Sequence, residues 1–208
     1  MQCRTADYFE VDLQRSRRPE LRHDALVLGL SLLTERHGLP RLRLRRLWLE
    51  QLADEYRLPG PIFLDIKEPD PSFVQEVVTE MRRLNLAAGA IAACEHWAVL
   101  DRLAEAGPEI RRFYGIPRRR SGRTRLTAYL ERAAKRHGGA GVSLPRRFAN
   151  AASLDAIHQA GLRPLIWHVD DYADGLRLME AGPVGLITHK PPLIEAWRRW
   201  LDAQPATG

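Results

Sequence analysis

Short β-type runs alternate with amphipathic helical stretches along almost the whole chain, and this alternation restricts the fold more than any other feature. The strand-like segments are YFEVDL (8–13), ELRHDAL (20–26), IFLDIK (62–67), AGAIAAC (88–94), IRRFYGI (110–116), AGVSL (140–144), RPLIWHV (163–169) and VGLITH (184–189). Between them lie LRRLWLEQLADEYR, DPSFVQEVVTEMRRLN, HWAVLDRLAEAG, RLTAYLERAAKRHGG, NAASLDAIHQAG and DYADGLRLMEAG, whose apolar residues recur at helical spacing. Several end in Gly, which closes helices, and Asp70 with Pro71 reads as a helix start. Strand, helix, strand repeated this often predicts parallel βαβ units in an α/β fold. The stretches AIHQAGL and GLRLMEAGPVG, each feeding an apolar strand, suit the closing half of a TIM (β/α)8-type barrel. No linker or low-complexity segment divides the 208 residues, so residues 1–208 read as one domain. A complete barrel takes about 250 residues, with about 200 near the lower limit, so this chain is short for one.

Composition narrows the function classes. The formal charge is +6 and the pI near 9.8, with dense arginine runs at RLRLRR (41–46) and RRRSGRTR (118–125). No aromatics interleave with those runs and no zinc-ligand or helix-turn-helix spacing accompanies them, so nucleic acid is not an expected partner. A solvated basic face, or one that attracts anionic substrates, accounts for them. Cys3 and Cys94 are the only cysteines and lack metal spacing, which argues for a reducing, cytoplasmic setting and against a disulfide framework. The longest apolar run, ALVLGLSLL (25–33), is too short to span a bilayer, and the N-terminus has no signal-peptide layout; no stable membrane anchor is expected.

The chemistry-bearing residues sit on the strands. In YFEVDLQRS, Glu10 and Asp12 are two apart and share one face of a strand, with Phe9, Val11 and Leu13 opposite. Two carboxylates about 7 Å apart on one face repel unless water, a cation or a basic partner lies between them. From this stretch alone, an edge strand with a solvated acidic face and half of a divalent-metal site both stand. FLDIKEPD repeats the alternation with Asp65 and Lys67, and His23 with Asp24 follows the first strand. Carboxylates from neighbouring strands make a hard-oxygen site suited to Mg²⁺ or Ca²⁺ and not to zinc. A lysine beside them offers a fixed positive charge to a phosphate oxygen, and a histidine offers an acid or base near neutral pH.

These segments resemble the glycerophosphodiester phosphodiesterases, a branch of the phosphatidylinositol-phospholipase-C-like barrels. ADYFEVDLQRSRRPELRHDALVLG is similar to that family's glutamate-x-aspartate strand followed by a His-Asp. GPIFLDIKEPD resembles its leucine-x-glutamate-isoleucine-lysine strand, and GLRPLIWHVDDYADGLRLMEAGPVGLITHKPPLI resembles its closing strands. The resemblance covers about residues 6–195 and is loose in the middle. It implies that Glu10, Asp12 and Asp65 hold one divalent cation, Mg²⁺ or Ca²⁺, that His23 is a catalytic histidine, that Lys67 contacts the phosphate and that Trp167 lines the substrate pocket. It implies hydrolysis of a glycerophosphodiester to glycerol 3-phosphate and an alcohol, with a lysophospholipid-like substrate as the other candidate.

The departures raise a rival. The family opens with a strand ending in His-Arg-Gly and a helix carrying Glu-Asn-Thr, and neither has a counterpart here. The barrel is therefore expected to be incomplete at its N-terminus, lacking the first strand and helix, through either a truncated front or the loss of that unit. Asp65 replaces the usual Glu, His189 replaces the Asp of the closing Thr-Asp, and Cys94-Glu95 replaces a common Ser-Phe. A catalytically impaired barrel that only binds metal or a phosphate ligand is the alternative to the hydrolase.

Overall fold

The first strand sets the geometry on which the carboxylates depend. In β1 (Phe9–Arg15) Leu13 is fully buried, while Glu10 is exposed and Asp12 half-buried, so the acidic face and the apolar face separate as a period of two requires. The computed structural model describes residues 7–15, 19–21, 26–27, 30–33, 41–43, 48–51, 61–116, 123–136, 139–182 and 184–204. By their contacts the residues group into two compact units, Tyr8–Arg111 and Arg112–Gly208 with the N-terminal residues to Asp7.

In the first unit β2 (Pro19–Leu21) runs antiparallel to β1, with Leu21 opposite Leu13. β3 (Leu26–Val27), β4 (Leu30–Leu33) and β5 (Arg41–Arg43) form a small antiparallel sheet of their own, Leu26 pairing with Ser31 and Leu32 with Leu42. This sheet departs from the strand–helix alternation. The strand expected over 20–26 is divided between β2 and β3, and of the helix expected over 44–57 the described residues are 48–51, of which Leu49–Gln51 are helical while Trp48 bridges Glu20.

β6 (Ile62–Ile66) is apolar on both faces, with Ile62, Phe63, Leu64 and Ile66 buried, as befits a parallel strand covered on both sides. It pairs parallel with β1, Val11 facing Leu64 and Asp12 facing Asp65. The chain then enters α1 (Phe73–Arg83), which starts three residues later than Asp70. Asp70 instead shapes the turn: its carboxylate accepts from the Ser72 backbone N–H at 2.9 Å and hydroxyl at 2.6 Å. Arg15 ties this turn to β1, donating to Asp70 (2.7 Å), the Ser72 hydroxyl (2.9 Å) and Glu76 (2.6 Å). Phe73, Val74, Val77, Val78 and Met81 form the buried stripe of α1, each worth about 1.5–3 kcal/mol on removal from water.

β7 (Ile91–Cys94) is wholly buried and parallel to β6, with Asp65 opposite Ala93. It is shorter than the expected 88–94 because Gly89 turns the chain at φ +79. α2 (Trp97–Ala106) buries Trp97, Val99, Leu100 and Leu103. At its end Gly107 allows close packing on α1, since a Cβ there would lie 2.9 Å from Val78 Cγ2. The main sheet of this unit thus has the order β2-β1-β6-β7.

In the second unit, residues from β8 (Arg111–Gly115) are followed by α3 (Arg123–Ala134), β9 (Gly139–Pro145), α4 (Ala151–Gln159), β10 (Arg163–Trp167), α5 (Tyr172–Glu180), β11 (Gly185–Leu186) and α6 (Pro191–Asp202). The strands lie parallel in the order β8-β9-β10-β11, as the alternation predicts. Gly141 sits where β9 approaches β10, and a Cβ there would fall 2.0 Å from the Arg163 carbonyl oxygen. Asn150 caps α4 through Ser153 N–H (3.1 Å) and Asp171 caps α5 through Asp174 N–H (2.8 Å). α6, outside the alternation, starts with Pro191 in its first turn and buries Trp197 against Gly175 of α5, the indole N–H donating to the Tyr172 carbonyl at 3.1 Å. Among the described residues no helix is long and apolar enough to cross a membrane.

Candidate functional site

Parallel pairing of β1 with β6 puts four charged side chains on one face. Asp12 and Asp65 are register partners, Glu10 lies two residues before Asp12, and Lys67 two residues after Asp65, where its N–H donates to the Leu13 carbonyl at 2.9 Å. A ligand oxygen from each of Glu10, Asp12 and Asp65 lies within 4.8 Å of the others. The apolar side of β1 fixes its half of this arrangement, because slipping β1 by one residue would turn Glu10 and Asp12 into the core.

Lys67 is ion-paired within the cluster. Its Nζ donates to Asp65 Oδ2 and lies 2.9 Å from Asp12 Oδ1. Burial works to lower the Lys67 pKa, but the Asp65 and Asp12 carboxylates more than reverse this and hold the ammonium above its ordinary range. The four side chains together carry a formal charge of about −2 when ionised. Three hard oxygen donors with that residual charge could hold a divalent cation.

Cys94 ends β7 beside this cluster and is buried. Burial pushes its thiol up to about 12, with Asp65 adding in the same direction and the His96 N–H, which donates to Sγ at 3.3 Å, working against it. It is a neutral thiol at physiological pH. The sequence singles Cys94 out as one of two cysteines and as half of the Cys94-Glu95 departure; its position beside Asp65 follows from the β6–β7 register.

The second unit holds a separate polar cluster at the ends of β10 and β11. Trp167 is half-buried, and the His168 ring meets it edge-on at 5.5 Å between centroids. The His168 ring also lies 3.9 Å from that of His189, tilted by 44°. Asp170 accepts from the Thr188 hydroxyl (2.9 Å) and the His189 backbone N–H (2.9 Å), and its Oδ2 lies 2.9 Å from His189 Nδ1. Burial works to raise the Asp170 carboxyl, but these hydrogen bonds prevail and hold it down at about 2. Lys190 Nζ donates to the Asp170 carbonyl at 2.7 Å. His189, the departure from the Thr-Asp pattern, is thus the partner of Asp170, a residue the sequence reading does not single out.

The structure therefore brings together Glu10, Asp12, Asp65 and Lys67, and places Trp167 at the end of β10. His23 lies outside the described residues, as do Asp24 and part of each arginine run.

No model of a known protein family matches the chain, and no curated protein sequence does. Solved structures do. A glycerophosphodiester phosphodiesterase from Parabacteroides distasonis is similar at a TM-score of 0.70 and 15% identity, over 95% of this chain and 86% of that one. An Oleispira antarctica phosphodiesterase, solved in complex with the product sn-glycerol-3-phosphate, is similar at 0.67 and 15%, over 94% and 86%. A glycerophosphodiester phosphodiesterase from Agrobacterium tumefaciens is similar at 0.63 and 17%, over 94% and 88%. The chain has the mixed α/β fold of the glycerophosphodiester phosphodiesterases, in keeping with a TIM-type barrel.

Proposed function

We propose that the chain is a metal-dependent phosphoric diester hydrolase, which cleaves a glycerophosphodiester to glycerol 3-phosphate and an alcohol. The observation that carries this reading is the convergence of Glu10, Asp12 and Asp65 within 4.8 Å on a fold similar to that of the glycerophosphodiester phosphodiesterases. On this reading residues 1–208 act as one domain.

Glu10, Asp12 and Asp65 would hold one divalent cation. Bound there, Mg²⁺ or Ca²⁺ supplies charge withdrawal from the phosphoryl oxygens and activation of the attacking hydroxyl or water. Lys67 presents its ammonium to a non-bridging phosphate oxygen, where it opposes the charge that builds up during attack at phosphorus. His23 would give a proton to the departing alkoxide as the ester P–O bond breaks. Trp167 offers an apolar surface to the glycerol or alcohol part of the substrate.

The test is release of glycerol 3-phosphate from glycerophosphocholine, with a lysophospholipid in parallel, in Mg²⁺, in Ca²⁺ and in chelator. Turnover that needs the metal and disappears in Glu10→Ala is the expected result. A folded protein that binds the metal without turning over either substrate would overturn the hydrolase and leave a binding barrel.

A further inference from the structure

The Lys67 ammonium already serves as a cation to the acidic cluster. It is bonded to Asp65 Oδ2 and 2.9 Å from Asp12 Oδ1, which occupies oxygens of two of the three candidate metal ligands. The chain's choice of residue is informative. Only three of its 32 basic residues are lysines, at 67, 135 and 190, and the other 29 are arginines, yet this position carries a lysine. An arginine here would grip a carboxylate through two parallel N–H bonds in a fixed fork. A lysine grips through one compact charge on a flexible stem, and can leave by rotating about its own side-chain bonds.

We propose that Lys67 is an internal competitor for the divalent cation, held on Asp12 and Asp65 until the ion takes those oxygens and frees the ammonium. This rests on the metal reading above and adds regulation of that site. A divalent ion held by Asp12 and Asp65 would share their oxygens with the ammonium paired there now, and like charges at such short range repel strongly. The ion therefore binds against the lysine, and its arrival releases Nζ on the same strand face for an anionic group. Metal loading and phosphate binding become coupled through one side chain, with a coupling that acts equally in both directions.

Calorimetric titration of Mg²⁺ and Ca²⁺ into the wild type, Lys67→Met and Lys67→Arg tests this, with far-UV circular dichroism to show that each is folded. The Met variant keeps the apolar stem and loses the charge, and its affinity for the ion is expected to rise by at least about tenfold. Lys67→Arg, which keeps the charge, is expected to bind no more tightly than the wild type. A wild type that binds the ion while the Met variant binds equally or more weakly would overturn the competition and leave the metal reading intact. Binding by neither would overturn both. If the Met variant does not fold, the wild type gives the answer through ¹⁵N-lysine spectra, which contain only three side-chain signals. Addition of Mg²⁺ is expected to move the Lys67 ammonium signal and leave that of Lys135 in place, and an unmoved Lys67 signal would overturn the proposal.

Discussion

Whether Cys94 is a reactive group or a packing one can be read from its alkylation rate. The side chain is 1% exposed and follows Ala93, the register partner of Asp65, so a reactive thiol here would stand beside the candidate metal ligands. Burial, with help from Asp65 and Glu95, raises the thiol from 9.0 to about 12 against the opposition of the His96 N–H and Lys67. At pH 8 a thiol of ordinary pKa is about 10% thiolate, whereas one near 12 is about 0.01% thiolate. Only the thiolate attacks, so modification slows by about a thousandfold before any steric exclusion. The assay is iodoacetamide labelling of a Cys3→Ser variant, followed by mass, with the same chain unfolded in urea as reference. The folded rate is expected to be about a thousandth of the unfolded one or less, and to keep climbing about tenfold per unit between pH 8 and 10. A folded rate within tenfold of the unfolded one would show that burial does not hold the thiol protonated and would make Cys94 a candidate nucleophile.

Two further perturbations test the second unit. Asp170 has its carboxyl depressed from 3.8 to about 2, so its contribution to stability is present above the unfolded value and is lost as pH falls through the folded one. Asp170→Asn should melt below the wild type at pH 7, and the difference should shrink between about pH 4 and pH 2; a gap of constant size down to pH 2 would show that the charge is not what holds His189 and Thr188. Trp197 is buried on Gly175 and donates to the Tyr172 carbonyl, so Trp197→Ala should cost about 3–5 kcal/mol by urea denaturation. A loss below about 1 kcal/mol would mean that α6 contributes little to the packing of α5.

Much of this architecture is legible in the sequence because periodicity survives wherever an element is covered on one side. The acidic face of β1 is set by Glu10 and Asp12 alternating with apolar neighbours, and the helix over 73–83 by Phe73, Val74, Val77, Val78 and Met81. What periodicity lacks is register. Nothing in IFLDIK says that Asp65 will face Asp12 and not Glu10, because that depends on how β6 slides along β1 as both bury their apolar sides. The β3–β5 sheet is hidden for a related reason: ALVLGLSLL reads as one apolar run, and only the pairing of Leu26 with Ser31 divides it. The α6 helix carries its signals openly, Pro191 at the start and Trp197 on the buried face, but it follows the last strand and so falls outside the alternation. The Asp170–His189 pair is legible in only one half. His189 stands out as a departure from a Thr-Asp pattern, whereas Asp170, nineteen residues earlier, gains meaning only when β10 and β11 lie side by side.

The shortness of Asp65 and the position of Lys67 belong together. Asp65 lies in β6 and Lys67 just past its end, two residues apart, and a carboxylate close to the backbone leaves room for the lysine stem to fold back onto it. A longer acid would carry its oxygens toward the space that the ammonium fills. The chain thus combines a shorter ligand with a nearer counter-charge, and the net charge of the cluster stays the same while its distribution shifts toward the strand. Because β6 is buried at Ile62, Phe63, Leu64 and Ile66, the backbone under this pair cannot relax to absorb a change in either side chain. Strand packing therefore supplies the rigidity, and the four-carbon stem of Lys67 is the flexible part of this pair that can answer an arriving cation.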